Sequence, residues 1–352
     1  MSDPLKLARP EILALKAYEH AAWDPSLERL HANEAPWAPL PEGEAAGLNR
    51  YPEPQPRRLV ERIAALYGVA PDRVLLGRGS DEAIDLLMRG FCAAGRDAIV
   101  VCPPTFGMYA VAARIQGAAV IEVPLRRDQG FALDVPGVIA ALDGGTKLVF
   151  LCTPNNPTGN LLADDALRAV LDAASGRALV VVDEAYMEFA AREGYSAWID
   201  RYPHLVVLRT LSKAHGLAGA RLGTLIALPP VVTLLRKVIP PYALAQPAVD
   251  AVLRALEPAA LAVTRERVAG IVAERERVAA ALPRGRGVRR IWPGAGNFLL
   301  VEFDDAGAAL AAIAGVGLLV RDFRGKAGLG DALRITVGSP EQNDRLLRSL
   351  GA

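Results

Sequence analysis

Between about residues 72 and 228 the chain alternates short, β-branched apolar runs with longer stretches whose apolar positions recur at helical spacing. That is the pattern of parallel strands joined by crossover helices. The predicted strands are Ala98 to Cys102, Ala119 to Val123, Leu148 to Cys152, Ala178 to Val182, Leu205 to Leu208 and Leu222 to Leu228. Several are apolar without interruption, which implies a sheet covered on both faces. Helices are expected over Ser80 to Ala93, which opens on a Ser-Asp-Glu start, and over Thr105 to Gln116.

Val249 to Leu282 reads as a long helical segment rich in Ala, Arg and Glu, kinked or broken at Pro258, and it is expected to link two domains. Beyond it, Asn297 to Phe303, Gly317 to Phe323 and Ala332 to Val337 read as strands with helices between and after them, a small α+β layer. The proline-rich stretch Pro36 to Pro56 reads as an arm or loop, and no internal repeat is visible.

A length of 352 residues suits two domains or one large α/β domain with an appendage. With 52% hydrophobic and 22% charged residues the chain is globular. A net charge of +1 without long like-charge runs argues against nucleic-acid or membrane-surface partners. The first residues lack a basic segment followed by an apolar run, and no stretch is long enough to span a membrane, so a cytoplasmic protein is expected. Cys92, Cys102 and Cys152 form no CxxC pair and suit free thiols in a reducing compartment. His20, His31, His204 and His215 never fall four residues apart, so no metal site is expected.

Arg209-Thr-Leu-Ser-Lys-Ala-His215 places a lysine after an apolar strand and before a loop of small residues. An ordinary lysine amine, with a pKa of about 10.4, is protonated at neutral pH, yet condensation with an aldehyde needs the free base. Arg221 could depress Lys213 while gripping a phosphate, although a lysine capping a sheet edge would look the same. Asp183 closes the strand Ala178 to Val182, where open α/β sheets place their ligands; a carboxylate there can keep the ring nitrogen of pyridoxal phosphate protonated, or merely start a loop. Tyr186 and Asn156, the latter in Pro154-Asn-Asn-Pro-Thr-Gly159, are positioned to donate to that ring's phenolic oxygen.

Gly77-Arg-Gly-Ser-Asp-Glu82 joins a strand to a helix, so N–H groups near Ser80 and Asp81 can cradle a phosphate. Glu82 stands where a dinucleotide fingerprint needs its third glycine, which disfavours a nicotinamide enzyme. Tyr109 could stack on the cofactor ring or pack in the core. Arg321 and Arg334 on predicted strands point to anion capture, or singly to structural ion pairs.

Taken in order, GRGSDEA, PPTFGMY, PNNPTG, VVVDEAY, TLSKAHGLAGARLG and LRITVG resemble the motif series of the fold-type-I, pyridoxal-5′-phosphate-dependent aminotransferases over nearly the whole chain. The resemblance implies an α/β fold with a mostly parallel seven-stranded sheet in a large domain, a small α+β domain, and a homodimer with composite active sites. The corresponding boundaries are an arm and part of the small domain at 1–51, the large domain at 52–248, a helical link at 249–282 and the rest of the small domain at 283–352.

Carried over residue by residue, it makes Lys213 the Schiff-base lysine and proton carrier. Asp183 becomes the partner of the pyridine nitrogen, Asn156 and Tyr186 hold the phenolic oxygen, and Tyr109 stacks on the ring. Ser80, Asp81, Ser212 and Arg221 form the phosphate cup, with Tyr51 reaching it from the partner subunit.

Ala32-Asn-Glu-Ala-Pro-Trp37, Arg50-Tyr-Pro-Glu-Pro-Gln55, PPTFGMY and Val320-Arg-Asp322 narrow the resemblance to histidinol-phosphate aminotransferases. That implies amino transfer between L-glutamate and imidazole acetol phosphate, giving L-histidinol phosphate, with Arg321 and Arg334 on the substrate phosphate and Tyr18 and Asn33 as further contacts. Phe106 departs from the tyrosine of many relatives, and His215 carries no assigned role. The alternatives are an aromatic amino-acid aminotransferase or a phosphothreonine decarboxylase of the same fold. A cofactor-sensing transcription regulator would need a DNA-binding domain, for which there is no room before Tyr51.

Overall fold

The computed structural model describes residues 3–19, 24, 26–39 and 47–352; His20 and positions 40–46 of the expected arm lie outside them. Strands β1 (Val74–Gly77), β2 (Ala98–Val101), β3 (Ala119–Glu122), β4 (Thr146–Cys152), β5 (Leu179–Asp183), β6 (Leu205–Thr210) and β7 (Gly223–Ile226) form a seven-stranded sheet in the order β1-β7-β6-β5-β4-β2-β3. The run from β6 to β3 is parallel throughout. β7 lies antiparallel to both β1 and β6.

The uninterrupted apolar runs are explained by two-sided burial. Along β5, Leu179 and Val181 join a core with Phe91, Ile99 and Phe150, while Val180 and Val182 join the opposite core with Val149, Leu167 and Val207. The helices Ser80–Phe91 and Met108–Gln116 cover the first face, and Asp164–Ala174 the second. β3 departs from the expected burial: as the edge strand it leaves Ala119 and Glu122 exposed.

β8 (Val288–Trp292), β9 (Phe298–Phe303), β10 (Arg321–Asp322) and β11 (Ala332–Thr336) make a second, antiparallel sheet in the order β10-β11-β9-β8. The strand expected over Gly317 to Phe323 shrinks to two edge residues, because Gly317 takes φ +73° and Leu319 is left exposed. β8 escaped the sequence reading because Arg289 and Arg290 interrupt its apolar pattern. The helical link divides at the expected point, with one helix at Gln246–Ala255 and the next starting on Pro258, whose missing N–H suits a first turn. Among the described residues no helix is long and apolar enough to cross a membrane.

In-register pairing sets Cys152 opposite Asp183 and Asp183 opposite Leu208. The loops after β4, β5 and β6 therefore leave the same edge of the sheet, the edge where such sheets bind ligands. The second sheet abuts this edge through Glu302 of β9, which accepts from Arg127 Nη2 at 2.7 Å, and through Ala295 N donating to Gly159 O at 2.8 Å. Because β5 is buried on both faces, Leu179→Ala is expected to cost about 2–5 kcal/mol in urea denaturation. Ile115→Ala, at a site 76% exposed, should change stability by less than about 0.5 kcal/mol.

Candidate active site

A cleft of about 140 Å³ opens at this edge, a small concave site lined by polar and apolar groups in similar measure. Ser80, Asp81, Asn156, Asp183, Tyr186, Ser212, Lys213 and Arg221 all line it, drawn from five separate stretches of sequence.

One end is built for an anion. The 12-residue helix Ser80–Phe91 begins after Gly79 (φ +83°) with no side-chain cap, leaving first-turn N–H groups to face the cleft. Arg221, itself in the left-handed region at φ +51°, donates to Asp81 Oδ2 at 3.3 Å and to Ala218 O at 3.4 Å. Such a backbone costs a non-glycine residue about 1–3 kcal/mol, a strain that clusters at functional sites. Thr210 Oγ1 accepts from Ser212 N at 3.2 Å and contacts Ser212 Oγ at 2.9 Å, orienting the serine. A Cβ at Gly79 would come within 2.8 Å of Arg221 Nη2, and one at Gly223 would overlap the backbone of Gly79 and Ser80. The cradle is therefore closed by two glycines, Gly223 because the backbone of Gly79 and Ser80 leaves no room for a Cβ and Gly79 because its φ of +83° strains any other residue.

The other end holds the titratable groups. Asp183 is 2% exposed, and burial pushes its carboxyl up to about 6 against hydrogen bonds from Tyr109 and the Ala185 N–H that pull it down. The Lys213 amine is depressed below the ordinary lysine value, first by burial and then by the Arg334 and Arg221 guanidiniums. No ion pair among the described residues neutralises it; its Nζ sits 5.7 Å from the Tyr186 ring centroid. Asn156 Nδ2 donates to Tyr186 Oη at 3.4 Å, and Asn156 Oδ1 accepts from Arg334. Arg334 also packs on Phe298 and Phe323, and its buried Nε finds no acceptor. Arg321 is its Cα partner across β10 and β11, so the two side chains share one face of the sheet.

Tyr109 requires a correction. Its ring is wholly buried, stacked on Phe150 at 4.7 Å and 18°, and its hydroxyl donates to Asp183 Oδ2 at 2.7 Å. No face is left to receive a cofactor ring. Phe106, edge-on to Tyr109 at 5.6 Å, lines the cleft instead. Arg321, Arg334, Tyr51, Asn33 and Tyr18 are not among the lining residues: Arg334 reaches the cleft through Asn156, Arg321 is exposed, Tyr51 stacks on Tyr242 at 4.6 Å, Asn33 is exposed at φ +57°, and Tyr18 is 66% exposed.

Residues 19–350 match the family model "Aminotransferase class I and II". The chain belongs to the class I and II aminotransferases. It is 51% identical to a histidinol-phosphate aminotransferase of Stenotrophomonas maltophilia, with 100% of this chain and 98% of that protein aligned. Among solved structures it is similar to the histidinol-phosphate aminotransferase from Sinorhizobium meliloti in complex with pyridoxal-5′-phosphate (TM-score 0.76, 27% identity, 86% of this chain and 82% of that one). It is also similar to an L-threonine-O-3-phosphate decarboxylase from Porphyromonas gingivalis (TM-score 0.71, 25% identity, 86% and 92%).

Class I and II aminotransferases work with pyridoxal phosphate, and this cleft fits it. The glycine-closed cradle takes a phosphate, the carboxylate of Asp183 suits a ring nitrogen, and Lys213 is an unpaired amine between them. Thr210, Cys152 and Gly223 also shape this aminotransferase site and were given no role from sequence, while Phe106 was noted there with its role open. Thr210 and Gly223 carried a signal, standing two residues from the flagged Ser212 and Arg221, and Phe106 carried one within PPTFGMY. Gly223→Ala is expected to lower stability by about 1–3 kcal/mol through overpacking and to weaken pyridoxal phosphate binding in a fluorescence titration. Wild-type affinity in that variant would mean that the cradle is not where the phosphate sits.

Proposed function

We propose that this aminotransferase moves an amino group reversibly between L-glutamate and imidazole acetol phosphate, producing L-histidinol phosphate and 2-oxoglutarate. The observation that carries the substrate assignment is the cross-strand pair Arg321 and Arg334, of which Arg334 donates to the cleft residue Asn156, in a chain 51% identical along its whole length to a histidinol-phosphate aminotransferase. Like charges facing each other across strands destabilise a sheet unless an anion lies between them. A phosphate dianion, with several acceptor oxygens, suits two guanidiniums better than one. Glutamate's carboxylates could use the same pair.

Pyridoxal phosphate, when bound, supplies an aldehyde for amino exchange and a ring that accepts the electron pair from the substrate's α-carbon. Ser80 and Asp81 N–H groups, the Ser212 hydroxyl and Arg221 would hold its phosphate, and Asp183 would keep its ring nitrogen protonated. Asn156 and Tyr186 would fasten the phenolic oxygen, and Phe106 would cover the ring. Lys213 Nζ, whose unprotonated form is favoured by burial and by two neighbouring cations, takes the proton from the α-carbon and returns it on the other side of the exchange. Tyr18 and Asn33 are assigned as further substrate contacts.

The enzyme is inferred to be a homodimer in which Tyr51 reaches the partner's phosphate cup. In support, Tyr51 is 50% exposed and most of the exposed large apolar side chains among the described residues, Trp37 and Leu30 included, lie between Leu13 and Tyr51. Such a surface calls for a cover. The domain boundaries at 1–51, 52–248, 249–282 and 283–352 are likewise inferred; the first sheet falls within the second part and the other sheet within the last. Three free thiols support a cytoplasmic location.

Lys213→Ala is expected to reduce turnover by roughly 10⁴-fold or more while leaving the melting temperature near wild type. Arg321→Ala should raise KM for L-histidinol phosphate by about 10–100-fold, the size of a lost charged hydrogen bond, and change kcat little. An unchanged KM in that variant would remove the phosphate role of Arg321, and near-wild-type turnover without the lysine would overturn the proton-transfer assignment.

A further inference from the structure

The deeper layer of the cleft contains a tyrosine that touches neither substrate nor cofactor positions, yet meets the carboxylate on which the cofactor reading rests. We propose that Tyr109 is a positioning residue that acts through Asp183, its hydroxyl holding the carboxylate ionised and aimed at the ring nitrogen of pyridoxal phosphate. The proposal rests on the cofactor reading given above and extends it to a residue that the ring does not reach.

The geometry is a two-point hold. Tyr109 Oη donates to Oδ2 of Asp183 at 2.7 Å, and Ala185 N donates to Oδ1 at 3.1 Å, so each carboxylate oxygen has one fixed donor and keeps a lone pair for the cleft. The Tyr109 ring cannot turn away, being clamped between Phe150 at 4.7 Å and Phe106 edge-on at 5.6 Å. Burial first, then the neighbouring Asp183 charge, raises the phenol well above its ordinary value, so it remains a donor at all working pH.

Several groups bear on Asp183 besides Tyr109. Asp81 across the cleft and Glu184 on the same strand end add negative charge and oppose its ionisation. Lys213, its amine depressed by burial and by two guanidiniums, lies within electrostatic reach of Asp183, while Cys152 and Tyr186 remain neutral, both raised by burial. Ala185 N–H alone would have to offset desolvation and two like charges if the phenol were absent. A hydrogen bond to a charged group contributes about 1.5–3 kcal/mol, equivalent to about one to two pKa units. Removing it raises the carboxyl's pKa. A neutral Asp183 cannot keep a pyridine nitrogen protonated, so loss of cofactor affinity should begin at higher pH.

The test is an equilibrium titration of the cofactor-free protein with pyridoxal phosphate, followed by fluorescence from mildly acid to mildly alkaline pH. Wild type, Tyr109→Phe, Asp183→Asn and Phe150→Leu are compared, with melting temperatures recorded for each. The Lys213 amine and the cofactor phosphate titrate in wild type and Tyr109→Phe alike, so the difference between those two profiles reports Asp183.

The expected result is a midpoint of affinity loss about one to two pH units higher in Tyr109→Phe, with the alkaline plateau preserved. Phe150→Leu, which loosens the packing but keeps the hydroxyl, should melt lower and retain the wild-type midpoint. Superimposable wild-type and Tyr109→Phe profiles, alongside weak binding by Asp183→Asn, would overturn the proposal and leave Tyr109 a packing residue. Wild-type affinity in Asp183→Asn would instead strike the cofactor reading itself.

Discussion

A carboxylate buried at the end of a central strand loses several kcal/mol of hydration, and the manner in which Asp183 recovers it organises this site. The four residues before it on β5 are apolar and fully buried, so neither solvent nor a surface cation reaches the charge from behind. Its partners come from the helix Met108–Gln116, from its own turn and from the cleft, where Lys213 stands. Glu184, the next residue, points elsewhere and accepts from Arg209 at 2.6 Å and from Tyr195 N at 2.6 Å. Arg209 also donates to Glu188 at 3.0 Å. One arginine on β6 thus ties down both sides of the turn carrying Tyr186, four residues before the lysine that completes the site.

This arrangement was partly legible in the chain. The apolar runs of β4, β5 and β6 mark where each strand ends, and Asn156, Asp183 and Lys213 each stand at or just past such an end. Tyr109 was not legible in the same way. On a helix, a buried aromatic with its hydroxyl turned inward and one turned to the cleft have identical spacing, and only the packing against Phe150 decides between them. The three-residue offset to Phe106 brings the other ring of the same motif to the surface of the cleft. Antiparallel β7 and the short edge strand β10 were equally hidden, since pairing direction leaves no trace in composition and Arg321 gains its meaning from lying opposite Arg334.

The N-terminal arm follows a different logic. Glu34 accepts from Tyr51 N at 2.6 Å and from Arg50 at 3.0 Å, which fastens the Ala32–Trp37 stretch to the stretch beginning at Arg50. Two motifs that are separate in sequence therefore form one unit with an apolar outer surface. The Glu302 carboxylate performs a comparable task, receiving Arg127 from the segment after β3 and Trp292 from the neighbouring strand of its own sheet. Both carboxylates are nearly inaccessible and each receives two donors, in contrast to Arg334, whose guanidinium is left with an unsatisfied nitrogen. The difference separates charges that join parts of the fold from a charge held ready for a ligand.

The central claim is that the cleft transfers an amino group from a substrate whose distal phosphate is gripped by Arg321 and Arg334. It is tested most directly by mixing the cofactor-loaded protein rapidly with L-histidinol phosphate, L-phenylalanine or O-phosphothreonine, and following the visible absorbance of the lysine-bound cofactor together with carbon dioxide release. The account predicts fast loss of that absorbance with L-histidinol phosphate, slow loss with phenylalanine, and no carbon dioxide from any of the three. Faster reaction with phenylalanine, or carbon dioxide from O-phosphothreonine, would contradict it.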